Sequence, residues 1–310
     1  MSSPANDRQV RVSRLIGTAR VSRDSLSLET RSGLRADAPV PVRDVTDLRL
    51  WQLTGALALS VGLALWRLGW AVNWMPFLGA SVTIALFCGI GTFFRSRDVA
   101  WARVFFALAL AMALGYTCQT VTYVLGTVGA PFRQIGRIGA LIGFSWPVWH
   151  AWVLAHPRLH EVLALIYPQH FLLSGFALAV LALCTETGAR RFLRAFTVAF
   201  CVSAVAQVLT PALTNTPGAP SNAVRLALRD GTFHTLDFTQ GVGLISFPSM
   251  HAALAVLVAV ALWQFRLWRV PLAVFTALML LSIPSEGGHY LVDVLAGAAL
   301  GLIAWRTARA

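Results

Sequence analysis

The sequence predicts an all-α integral membrane protein of about eight transmembrane helices. Three observations lead there. Hydrophobic residues make up 57% of the 310 and charged residues only 12%, about half the roughly 25% usual in soluble domains. Apolar runs long enough for a bilayer core, which needs about 20 residues each, follow one another almost without pause from residue 50 onward. The formal charge of +12 rests on 25 basic residues, every one of them arginine, and their placement follows a membrane topology rather than a nucleic-acid footprint.

Residues 1–49 are polar, with nine arginines and six acidic residues. They lack the apolar stretch of a secretory signal and read as a cytoplasmic tail. Spans at 50–68, 75–94 and 104–125 then form an N-terminal membrane segment, 50–126. The rest, 127–310, reads as a second membrane domain. It opens on a long outer segment whose aromatic run from Phe144 to Trp152 suits a helix lying in the headgroup layer. Spans at 162–183 and 195–213 follow, then a polar outer loop, 214–247. Three closing spans are expected at 249–265, 267–283 and 289–305. All must be helical, because lipid offers no partners to open backbone groups.

Arginine placement orients the chain. The tail, residues 95–103, 185–194 and 266–269 and the C-terminal end hold nineteen of the 25. Only Arg67, Arg133, Arg137, Arg158, Arg225 and Arg229 fall on the other side. Basic residues concentrate in the cytoplasm, so both termini are expected there, with the opposite ends of the spans periplasmic, as in a bacterial inner membrane. Tryptophans near most span ends fit an aromatic belt. The four cysteines are dispersed without a CxxC pair and read as small buried hydrophobes.

Titratable residues interrupt the outer ends of two late helices, and ionisable groups at membrane depth are costly enough to mark function. The first segment is Phe247-Pro248-Ser249-Met250-His251. Ser249 is placed to cap a helix, and the free amides there attract anions. The second segment runs from Ser282 through Glu286 and Gly287-Gly288 to His289-Tyr290-Leu291-Val292-Asp293. His289 and Asp293 stand at i and i+4 on one helix face, where a carboxylate can fix the imidazole tautomer and leave the other nitrogen free to attack. Two histidines facing an anion site suit phosphoryl transfer: one attacks phosphorus, the other protonates the departing alkoxide. Arg225 and Arg229, in the preceding outer loop, are the nearest cations for the phosphate oxygens. Ser249 and Tyr290 complete the expected substrate contacts. His150, His156, His160, His170 and His234 read as interfacial side chains, and Tyr167 as a packing or interface residue, with contact to substrate as the alternative. The i,i+4 pair His156 and His160 lacks a third metal ligand.

At these positions the sequence resembles the type 2 phosphatidic acid phosphatase superfamily of membrane lipid phosphatases and phosphotransferases. Its Pro-Ser-Gly-His signature is similar to Pro248-Ser249-Met250-His251, and its closing His-x-x-x-Asp to His289 through Asp293. Ile283 stands where the superfamily carries an arginine, and the lysine of its first signature has no counterpart in a chain without lysine. These departures, with Phe-Pro-Ser-x-His and His-Tyr-x-x-Asp, resemble the inositolphosphotransferase branch, which includes inositol phosphorylceramide synthases. The resemblance covers roughly residues 130–306. It implies a six-helix catalytic core plus extra N-terminal spans, with His289 as nucleophile, Asp293 as its orienting partner and His251 as general acid. The implied activity moves a phosphoryl or phospho-head group from a phospholipid or lipid phosphate to an alcohol, without metal or other cofactor. Water as acceptor, giving a phosphatase, is the alternative. Two other classes compete: a transporter using buried His and Asp, and an intramembrane protease using Ser249 with His289.

Overall fold

A computed structural model describes residues 47–132, 143–185, 187–216, 219–240 and 242–308. The expected tail therefore lies almost wholly outside the described residues, as do Arg133 and Arg137. From Val40 onward the chain forms one compact unit. Its helices are α1 Leu48–Leu68, α2 Trp74–Phe94, α3 Val99–Gly126, α4 Trp146–Leu154, α5 Pro157–Ile166, α6 His170–Cys184, α7 Gly188–Leu209, α8 Pro220–Asp230, α9 Met250–Leu262, α10 Arg269–Glu286 and α11 Leu291–Thr307. Two dipeptides, β1 Ala71–Val72 and β2 Thr235–Leu236, pair in parallel.

Among the described residues, six stretches are long and apolar enough to cross a bilayer: Leu48–Leu68, Trp74–Phe94, Val99–Gly126, Pro157–Cys184, Gly188–Leu209 and Arg266–Glu286. The chain is thus an all-α membrane protein. Of the two remaining expected spans, α9 comes out shorter at 13 residues, while α11 has 17, as many as its expected run. At 1.5 Å per residue α9 is only ~20 Å long, against a hydrocarbon core of ~30 Å. The expected run 249–265 is broken because the chain turns at Trp263–Phe265 and re-enters through a 3-10 turn at Arg266–Trp268.

Local chemistry sets the helix ends. Asn73 and Asp98 cap α2 and α3 by accepting from main-chain amides, and Gly69, at φ 66°, closes α1 in the left-handed conformation that glycine adopts without strain. Asp47 caps α1 by accepting from the Leu50 amide at 3.2 Å. The same carboxylate pairs with Arg194 Nε of α7 at 2.6 Å and is only 4% exposed. Asp47→Ala removes a cap and one partner of the 38%-exposed Arg194, so it should lower stability in detergent by about 1–2 kcal/mol. Thermal unfolding followed by tryptophan fluorescence measures it.

The apolar faces divide between lipid and protein. Leu53, Leu59, Trp66 and Val82 of α1 and α2 are largely exposed, as lipid-facing residues of a membrane helix must be. Cys184 and Cys201 are also exposed, so two cysteines expected inside lie on the outer surface of apolar helices. By contrast, ten of the thirteen residues of α9 are buried. That makes α9 the central post, packed by α6, α7, α10 and α11. The approach to α9 is not helical, yet Val242, Leu244, Ser246 and Ser249 are buried. Irregular backbone is tolerated at depth under that condition.

The N-terminal spans also hold the outer loop. The link between α1 and α2 pairs with the 234–236 strand, and Asn73 donates to Asp237 at 3.1 Å. Hydrogen bonds from Thr239 and Asn73 hold the exposed Asp237 carboxyl below its ordinary range. Beneath this link, Tyr123, Leu228, Leu236, Val242 and Leu244 form a small core with Trp70, Phe77, Phe233 and Phe238. This core anchors α8, the helix that carries Arg225.

Candidate active site

The site forms where α9 and α11 begin. Ser249 caps α9, its oxygen accepting from the Ala252 amide at 3.5 Å, and its own amide donates to the Asp293 main-chain oxygen at 3.0 Å. That bond ties the start of α9 to the first turn of α11. Farther along, α11 turns Gly297 and Gly301 toward α9. A methyl group at Gly297 would strike the Ser249 main-chain oxygen, and one at Gly301 would lie 2.6 Å from that of Ala253. The GxxxG spacing therefore lets the two backbones meet, and the polar first turns meet with them.

Asp293, in the first turn of α11, is 1% exposed, and His289, on the non-helical approach two residues before that helix begins and not on its face as the spacing suggested, is 4% exposed. Their Nδ1 and Oδ2 atoms are 3.4 Å apart. This is long for a hydrogen bond, though catalytic contacts often tighten only with substrate bound. The same Oδ2 accepts from the Tyr290 amide at 3.0 Å, which fixes the carboxylate. Oδ1 of Asp293 and Nδ1 of His289 are buried without a hydrogen-bond partner among the described residues. Before His289, Gly287 and Gly288 are required. A methyl group at Gly287 would lie 2.9 Å from the His289 ring and 2.7 Å from the Tyr167 hydroxyl oxygen, and Gly288 sits at φ +63°.

His251 faces this pair from α9, with ring centroids 6.3 Å apart. Tyr167 stacks on the His251 ring at 4.7 Å and 16°, and His170 meets it edge-on at 4.1 Å. His170 Nδ1 lies 3.1 Å from the Tyr167 main-chain oxygen. Sequence reasoning missed this role for Tyr167 and His170. The only local signal is that both occupy one turn where α5 passes into α6. Their approach to His251 is a tertiary contact.

The two expected cations part ways. Arg225 is 6% exposed and donates to the main-chain oxygens of Leu244 and Gly243, to Ser221 Oγ and to Asn222 Oδ1. It is near enough to Asp293 and Tyr167 for their charges to act on it. Burial lowers its pKa to about 10, opposed by those two groups, so it stays a cation at neutral pH. Arg229 instead donates to the main-chain oxygens of Gly129 and Ala130 and lies over Phe132. None of these contacts is with the histidine cluster. Arg229 fastens α8 to the turn that follows α3, its guanidinium fork reaching two successive main-chain carbonyls there.

Outside the cluster, Trp146 of α4 donates to the Pro284 main-chain oxygen at 2.7 Å, so the aromatic helix docks on α10. His156 Nδ1 contacts the Trp152 main-chain oxygen, and His160 Nε2 lies 3.6 Å from Glu286 Oε2. These two histidines thus serve separate partners. Among the described residues, no three His, Cys, Asp or Glu side chains group as a metal site.

A family model described as the PAP2 superfamily matches residues 133–307, a stretch that contains every residue of this cluster. No curated protein and no solved structure matches the chain significantly.

Proposed function

The chain belongs to the PAP2 superfamily, whose members are phosphatases or phosphotransferases acting on lipid phosphates, and from that premise we propose a phosphotransferase that works through a phosphohistidine at His289. The carrying observation is one arrangement: a buried imidazole against a fixed carboxylate, faced by a second imidazole across 6.3 Å. In this reading Asp293 holds the Nδ1 side of His289, and Nε2 attacks the phosphorus of a lipid donor. The bond to the leaving alkoxide breaks, and His251 gives that oxygen its proton. An alcohol then attacks the phosphohistidine, the P–N bond breaks, and His251 takes the alcohol's proton back. Arg225 is assigned to stabilise the developing charge, in place of the arginine that Ile283 replaces. Ser249 and Tyr290 act through the helix starts they build, Ser249 as cap of α9 and Tyr290 as amide donor to Asp293.

The preference for an alcohol over water, as in an inositol phosphorylceramide synthase-like enzyme, rests on the Phe-Pro-Ser-x-His and His-Tyr-x-x-Asp patterns. The placement of the site on the periplasmic face of a bacterial inner membrane rests on the nineteen arginines at the opposite ends of the spans. In this topology α9 and α11 complete the crossings, their polar approaches being buried in protein.

Leaving-group dependence tests the role of His251. With a dialkylglycerol leaving group, His251→Ala should cost about 10²–10⁴-fold in turnover. With a lipid p-nitrophenyl phosphate, whose leaving group needs no proton, the loss should be far smaller. Equal losses would remove His251 as general acid. Arg225→Gln should lower kcat/KM about 10- to 100-fold, the worth of a hydrogen bond to a charged group. Arg229→Ala should leave kcat and KM within about threefold and act on stability instead. Equal kinetic effects of the two would reverse that assignment.

A further inference from the structure

Glu286 ends α10 three residues before His289, beside a site built for an anion. A carboxylate there repels phosphate, so its presence calls for another ligand. Its side chain is 16% exposed. Oε2 faces His160 Nε2 at 3.6 Å. Oε1 is shut off from solvent with no hydrogen-bond partner among the described residues, a costly state unless a donor arrives. The carboxylate also acts electrostatically on Tyr167, the residue stacked on His251, whose hydroxyl oxygen abuts Gly287. Glu286 thus lies one side chain away from the group that handles the acceptor's proton.

From this geometry we infer that Glu286, with His160 and the Tyr167 hydroxyl, binds the hydroxyl group of the alcohol acceptor. The inference rests on the reading of His289 as phosphoryl carrier. A hydroxyl both donates and accepts. The carboxylate takes its proton in a hydrogen bond, while an imidazole N–H or the tyrosine hydroxyl donates to its oxygen. An ammonium group has no use for these donors. Glu286 holds and aims the alcohol as it enters; on attack the hydroxyl's single proton turns from Glu286 to His251, which takes it as the P–O bond forms and the P–N bond breaks.

Partition of the phosphoenzyme tests this. Purified protein in detergent is given phosphatidic acid and glycerol, and the ratio of glycerol phosphate to inorganic phosphate is measured. Both products drain one intermediate, so general damage to the fold lowers their sum but leaves their ratio. Glu286→Gln should lower the ratio about tenfold, the worth of one charged hydrogen bond. His160→Ala, at a half-exposed position, should lower it about threefold. A ratio unchanged in both variants overturns the inference and leaves the phosphohistidine reading standing, as does wild-type protein that forms phosphate but no glycerol phosphate. Wild-type protein that releases neither product from phosphatidic acid overturns both. With choline replacing glycerol, a higher transfer ratio that Glu286→Gln abolishes would assign the carboxylate to a cation and overturn the hydroxyl reading.

Discussion

Replacing His289 with alanine should lower phosphoryl release from a lipid phosphate by at least about 10⁴-fold, the order seen when a covalent nucleophile is removed. The protein should remain folded, because His289 Nδ1 has no hydrogen-bond partner among the described residues and its truncation breaks none there. Asp293→Asn should cost less activity but more stability. Its carboxylate also accepts from the Tyr290 amide, and at 1% exposure any rearrangement of that cap is felt in the core. Comparing the melting temperatures of the two variants in detergent separates chemistry from folding. A His289→Ala protein with wild-type melting and wild-type turnover would end the assignment.

The second large effect concerns the junction that brings the histidines together. Gly297→Leu should destabilise the protein by at least about 3 kcal/mol, at or beyond the upper range for overpacking, and abolish activity. The first added carbon strikes the main-chain oxygen of Ser249, and the Ala252 methyl stands 3.0 Å away. Neither can yield as a flexible side chain would. The only relief is separation of α9 from α11, which carries His251 away from His289 and Asp293. Gly115→Ala is the control: it lies on α3 with nothing within 4 Å and should melt within about 0.5 kcal/mol of wild type. If Gly297→Leu melted and turned over like Gly115→Ala, close approach of the two helices would not be what forms the site.

How much of this was legible in the sequence depended on distance along the chain. The four-residue spacing of His289 and Asp293 suggested one helix face, yet α11 begins only at Leu291, so His289 stands on the non-helical approach and meets the first-turn Asp293 from there. Pro248-Ser249 announced a helix start, and Ser249 caps it. Arg225 was visible only as a cation upstream. Its burial beside Asp293 depends on α8 folding onto the core around Tyr123, which no local pattern encodes. Arg229, the one of the two that the sequence favoured for phosphate, sits one helical turn away, yet that turn aims it at Gly129 and Ala130. His170 was unremarkable among seven histidines, because its neighbour His251 lies far along the chain and meets it only where α6 packs on α9. The shortness of α9 was hidden because hydropathy counts apolar residues and not where the backbone turns, and Trp263 and Phe265 extended the expected run past Leu262, where the structure ends the helix.

The central claim is that phosphate passes through a covalent bond to His289. The most direct measurement is to mix purified protein with phosphatidic acid labelled with ³²P, quench within the first turnovers, and locate the label by peptide mass spectrometry under alkaline conditions that preserve phosphohistidine. The account predicts label on the peptide containing His289, lost on acid treatment and absent from His289→Ala. Turnover of the labelled lipid with no protein-bound label, or with label on Ser249, would contradict it.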